Sequence, residues 1–127
     1  MNDFRTKTWL TRAGAALLAT LTLAACGGGD GDGIACTLEV RPSVMVTAVD
    51  DQGRTLTDVR IDYRLNGGAL RTLQCEAAPC AVGQEEAGSF SLTATKAGHA
   101  QATATVVVPR DLCHVQTQAW RPTLRRL

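Results

Sequence analysis

The side chains able to act as nucleophiles, bases or soft metal ligands are few: cysteines at positions 26, 36, 75, 80 and 113, and two histidines, His99 and His114. A hydroxyl or thiol nucleophile needs a base beside it and a third group to orient that base. No G-x-S-x-G elbow, H-E-x-x-H helix or phosphate-cradling glycine loop accompanies either histidine. His99 follows Gly98 in a turn and His114 stands beside Cys113 on a closing strand, so both are expected to be structural. Joined across loops with Glu85 and Glu86, or with the Cys75 to Cys80 segment, the histidines would make a metal or small-ligand site. That is the alternative reading, a periplasmic sensor or inhibitor. The spacing does not require it, and Glu85-Glu86 reads more simply as a solvated loop. No catalytic residue, metal or cofactor is expected, and the chain is read as a non-enzyme.

Cys26 has a different setting. Arg5, Lys7 and Arg12 precede an apolar stretch from Ala13 to Ala25 that is too short to span a bilayer, which is the layout of a secretory signal. Leu23-Ala24-Ala25-Cys26 resembles the lipobox of bacterial lipoproteins. The resemblance implies that the Cys26 thiol is diacylated, that the chain is cut before it, and that the new amino group takes a further acyl chain such as palmitate. Each buried methylene contributes roughly 0.8 kcal/mol, so one chain binds marginally whereas two or three anchor a protein stably. Gly27, in place of Asp, implies transfer to the outer membrane in enteric-type bacteria.

Three segments follow from this: a signal peptide over 1–25, the lipidated cysteine and a linker over 26–33, and a domain over 34–127. Gly27-Gly28-Gly29-Asp30-Gly31-Asp32-Gly33 has nothing apolar to bury and reads as a flexible leash. Its root-mean-square reach is roughly 15 Å. The two aspartates lack the later acidic ligands of a calcium loop.

A domain of this size has a marginal core. Cys36, Cys75, Cys80 and Cys113 form an even set in an exported chain, where disulfides persist. Three pairings exist in principle. The expected one closes Cys75 to Cys80 across Glu76-Ala77-Ala78-Pro79 and leaves Cys36 and Cys113 to pin the ends of the domain together. A four-thiolate zinc site is the competitor, but C-x2-C knuckles are absent.

The elements that must position these residues are strands. Val59, Ile61, Tyr63 and Leu65 alternate with Arg60, Asp62 and Arg64, the period of a half-buried strand. Asn66-Gly67-Gly68 supplies a hairpin turn, after which Ala69 to Cys75 should return antiparallel. Phe90, Leu92 and Ala94 alternate with Ser and Thr, Ala97-Gly98-His99 turns the chain, and Ala102, Ala104, Val106 and Val108 alternate again. Ser43 to Val49 opens the set, Asp50-Asp51-Gln52-Gly53 turns it, and Cys113 to Trp120 closes it. The expected fold is all-β: one small antiparallel β-sandwich of about seven strands, immunoglobulin-like or prealbumin-like.

Val44 to Ile61, with Asp50-Asp51-Gln52-Gly53-Arg54-Thr55-Leu56 at its centre, is similar to the opening of carboxypeptidase regulatory-like domains, which carry a D-x-x-G-x-x-L turn between two strands. Gly88-Ser89-Phe90-Ser91-Leu92-Thr93-Ala94-Thr95-Lys96-Ala97-Gly98-His99 and the following Thr105 to Val108 resemble that family's later hairpin. The likeness covers about Ser43 to Val108. His99 stands where the family has an aromatic, and the segment carrying Cys75 and Cys80 departs from it. The resemblance implies a prealbumin-like accessory or spacing module without peptidase activity.

Charge narrows the partners. Without residues 1–25 the chain keeps ten basic and eleven acidic side chains, so nucleic acid is not expected. Trp120, Arg121, Arg125 and Arg126 make an aromatic, basic tail that could meet anionic lipid headgroups or envelope polysaccharide. The simpler expectation is a frayed, solvated end, with Trp120 capping the open end of the sandwich. The chain is thus read as an envelope lipoprotein, held in the membrane by its lipid, whose domain binds or spaces an envelope protein or glycan.

Overall fold

The structure, a computed structural model, describes residues 35–127. The expected signal peptide, Cys26 and the glycine linker lie outside the described residues. Seven strands run in chain order: β1 (Pro42–Val46), β2 (Val59–Leu65), β3 (Arg71–Cys75), β4 (Cys80–Gln84), β5 (Gly88–Thr95), β6 (Ala102–Val108) and β7 (Gln118–Trp120). One sheet has the order β3-β2-β5-β6 and the other β4-β1-β7. No helix occurs among the described residues.

Alternation decides which faces meet. β2 buries Val59, Ile61 and Tyr63, and β5 buries Phe90, Leu92 and Ala94. The two strands pair antiparallel with Ile61 opposite Ala94 and Tyr63 opposite Leu92, so these side chains share one face. Val44, Val46 and Val82 from the other sheet complete the same cluster, with Val115 and Leu124 filling its flank. This is a β-sandwich, and its core is one layer of interdigitated side chains between two sheets.

Turn chemistry sets the registers. Asn66 and Gly67 both take positive φ, 52° and 72°, as the two-residue turn between β2 and β3 requires. Asn66 also accepts the Ser89 N–H on its Oδ1 at 2.9 Å, which ties this hairpin to the start of β5. After β1, the Asp50 carboxylate accepts the N–H groups of Gln52 and Arg54 and the Arg54 Nε, and Gly53 closes the turn at φ 80°. The Arg54 N–H is the largest influence on Asp50 and, with the other donors, outweighs burial and holds its pKa below the ordinary value.

The two disulfides sit at opposite ends of the sandwich. Cys75–Cys80 joins the end of β3 in one sheet to the start of β4 in the other, next to Val59 and Val46. Cys36–Cys113 ties the N-terminal segment to the loop after β6. We call the latter the tether end, because the described residues start there; the starts of β1 and β5, the ends of β4 and β6 and the β2–β3 hairpin gather at it. The opposite end holds Cys75–Cys80, the Asp50 turn and the β5–β6 hairpin tip. The four cysteines among the described residues are bonded in pairs, which removes the four-thiolate zinc site.

Five details differ from the sequence expectation. The first strand stops at Val46, because Thr47 to Val49 turn their N–H groups and carbonyls to the C-terminal segment and to Leu56. The segment after Cys80, to which the sequence pattern assigns no element, is a strand, since Val82 points into the core opposite Val44. The closing strand is confined to Gln118–Trp120. Cys113 and His114 lie in a bend whose N–H groups are held by Asp111. The β1–β7 pair is parallel, the others antiparallel.

The tail, finally, is not frayed. Val49 N–H donates to Pro122, Leu124 N–H to Val49, Ala100 N–H to Arg125 and Leu127 N–H to Gly98. Leu124 is fully buried.

Candidate functional site

At the tether end, Glu85 closes β4 in a left-handed conformation, φ 53°, and this turns its carboxylate back into the sandwich rim. Oε1 accepts the Arg41 N–H at 3.0 Å and faces His114 Nδ1 at 2.6 Å. Oε2 accepts the Val115 N–H at 3.2 Å. Burial pushes the Glu85 pKa up, but these three donors together outweigh it and hold the carboxyl below the usual range. Opposite an ionised Glu85, Nδ1 carries a proton and donates it. Glu85 and Glu86 do lie in a loop, as expected, but both carboxylates are half-buried and paired and not freely solvated. Glu86 makes a two-pronged pair with Arg71 at 3.0 Å in each arm, and its backbone is read by the buried Ser43 hydroxyl, which donates to the Glu86 carbonyl and accepts its N–H.

On the other side of the His114 ring, Nε2 lies 3.0 Å from the Thr37 hydroxyl. Thr37, His114 and Glu85 thus stand in the order of a nucleophile, a base and its orienting carboxylate. Sequence reasoning missed this line, because the three residues are 77 and 29 positions apart and nothing in their local patterns links them. A triad also needs donors aimed at a developing oxyanion. Four N–H groups around the ring are committed elsewhere: Cys113 and His114 to Asp111 Oδ1, Arg41 and Val115 to Glu85. The His114 and Cys113 N–H groups, in that order, hold Asp111 below its ordinary pKa against a smaller opposing effect of burial. The line is a clip that fastens the N-terminal segment and the loop after β6 onto the end of β4, beside the Cys36–Cys113 bridge.

The remaining residues singled out from sequence lie at the far end. His99 occupies the β5–β6 turn, its Nδ1 2.9 Å from the Ala97 carbonyl, and pairs through its backbone with Arg126. β5 runs from the tether end to this turn, so His99 and His114 are separated by the length of the sandwich and cannot share one ion. Among the described residues no three of His, Cys, Asp and Glu gather as a metal would need. Trp120 pairs with Val46 on β7 and packs half-buried against the core at this end. The chain continues extended from it: Pro122 and Leu124 point inward, while Arg121, Thr123 and Arg125 point to solvent with Arg126 beyond them. Sheet pairing thus converts the basic tail into a fixed strip of three exposed guanidinium groups next to an indole.

No protein-family model matches this chain, and no curated protein matches it in sequence.

Proposed function

We propose that this protein is a lipid-anchored lipoprotein of the bacterial cell envelope, placed in the outer membrane, whose β-sandwich is a non-catalytic module that binds or spaces another envelope component. The lipobox over Leu23 to Cys26 and the glycine leash support the anchor. Two disulfides fit an exported compartment. The resemblance to carboxypeptidase regulatory-like domains over Ser43 to Val108 fits an accessory module, and the committed donors around His114 fit a domain without a reacting centre.

The observation that carries the reading is polarity. The leash joins the domain beside the Cys36–Cys113 bridge, and Trp120, Arg121, Arg125 and Arg126 are fixed at the opposite end. An anchor at one end and a rigid basic, aromatic strip at the other suit a module that presents its far end to an acidic patch of an envelope protein or to an anionic glycan. The test is photo-crosslinking in living cells from a reactive residue placed at Arg125. Capture of one defined envelope component, reduced when Arg121 and Arg126 are changed to Ala, supports the reading. A folded, membrane-held protein that captures nothing from positions 121, 125 and 126 overturns it.

A further inference from the structure

Six large apolar side chains are exposed among the described residues, and they are not scattered. Leu38 (98 % exposed), Val40 and Leu112 (80 %) flank the Cys36–Cys113 bridge, and Leu70 lies in the β2–β3 hairpin at the same end. Val107 stands one register position inside that end, opposite Ser89. Leu127 alone is at the far end. Isolated exposed leucines need no explanation, but five of six gathered at one end of a small domain mark a surface that meets something apolar.

Charge at this end is arranged to permit that. Glu39 pairs with Arg41 at 2.9 Å, Glu86 with Arg71, and Glu85 with His114. Arg64 and Arg110 each hold a backbone carbonyl through Nη1, of Gly68 and Glu85, and keep their exposed side chains at the rim. Such residues lay their stems on apolar surface and leave the guanidinium at headgroup level.

The length of chain outside the described domain says what covers this surface. Nine residues separate Cys26 from Cys36. Seven of them are the glycine and aspartate leash, and nine such residues have a root-mean-square span of roughly 17 Å. β5 alone, with eight residues, extends about 25 Å toward the opposite end. A lipid held at Cys26 therefore brings the tether end to the bilayer and leaves the far end clear of it.

We infer that the tether end of the sandwich docks on the bilayer that holds the anchor, inserting Leu38, Val40 and Leu112 at the level between headgroups and acyl chains. The inference rests on the anchor reading above. It assigns the lipid surface to the apolar end and frees the basic strip at Trp120 to Arg126 for a partner, contrary to the sequence expectation that this tail could meet headgroups.

The experiment uses the full chain, expressed in a lipoprotein-processing bacterium and reconstituted into phosphatidylethanolamine and phosphatidylglycerol vesicles, with and without bromine on the acyl chains. Leu112→Trp and, separately, Leu38→Trp place an indole at the proposed contact, while the native Trp120 reports on the far end. Side chains seated 5–10 Å into the interface lie within reach of the bromines, so the emission added by either substitution should fall about twofold or more, with that of Trp120 unchanged. Added emission that is insensitive to bromine, in protein that floats with the vesicles, overturns docking and leaves the anchor standing. Quenching of Trp120 in place of the added indole overturns it in favour of a headgroup-facing tail. Protein that does not float overturns the anchor reading, and docking with it. Two separate reporters keep the outcome readable if one substitution prevents folding.

Discussion

His114 Nδ1 lies 2.6 Å from Oε1 of Glu85, joining the loop after β6 to the end of β4 across 29 residues of chain. The contact has the chemistry of a catalytic base and its carboxylate, yet its neighbours use it as a fastener. It shows how a small sandwich with few aromatic residues holds a rim that its hydrophobic core does not reach.

The pairing predicts an acid-sensitive rim. Glu85 is held below its ordinary pKa in the folded state, so its contribution is present above the unfolded value, about 4.3, and is lost as pH falls through the folded value. Melting temperatures measured from pH 7 downward should therefore fall below about pH 4.3. Glu85→Gln should start lower at pH 7 and fall less steeply. An identical pH profile in the variant would mean that the carboxylate contributes nothing.

The two disulfides should differ in weight. Cys36–Cys113 closes a separation of 77 residues and Cys75–Cys80 one of 5. The chain-entropy model gives about 4–5 kcal/mol for the first and about 2 kcal/mol for the second. Urea unfolding of the Cys36→Ala/Cys113→Ala and Cys75→Ala/Cys80→Ala pairs should rank them in that order.

Leu124, three residues before Leu127, is fully buried. Replacing it by Ala should cost about 2–5 kcal/mol, as a core position does, whereas a solvated tail would give nothing measurable. Arg125→Ala in the same tail should leave stability within about 0.5 kcal/mol, and thermal melts separate the two cases.

Thr37 should be inert as a nucleophile. A fluorophosphonate probe should leave it unlabelled, and Thr37→Val should shift only stability. Labelling at Thr37 that disappears in His114→Ala would convert the clip into an active site and overturn the non-catalytic reading.

Cys26→Ser should abolish acylation and leave the signal uncut. The mass of the N-terminal peptide from native membranes checks both: the parent chain should begin at residue 26 with acyl mass added, the variant at residue 1 without it.

The hairpins, the registers implied by Asn66-Gly67 and by the alternation of β2 and β5, and the local Cys75–Cys80 closure were legible in the chain, because each depends on residues a few positions apart and on a period of two. β4 was not: five residues, one of them Gly83 at φ 73°, carry too short a pattern, and only Val44 opposite Val82 makes them a strand. The tail was misjudged for a related reason. Polar and basic residues at a chain end look solvated, yet Thr47 and Val49 just after β1 and the β5–β6 tip supply the hydrogen-bond partners that order it.

The candidate site divides along the same line. Sequence by itself determined the all-β pattern and the near-neutral charge, both local or compositional, and it carries the resemblance to a lipobox on which the proposed anchor rests. Only the tertiary structure decided that Glu85 meets His114 and Thr37, that the two histidines lie at opposite ends, and that Leu38, Leu70 and Leu112 lie at the end opposite Arg121, Arg125 and Arg126. Those relations join residues tens of positions apart, and packing two sheets around one core is what brings them together.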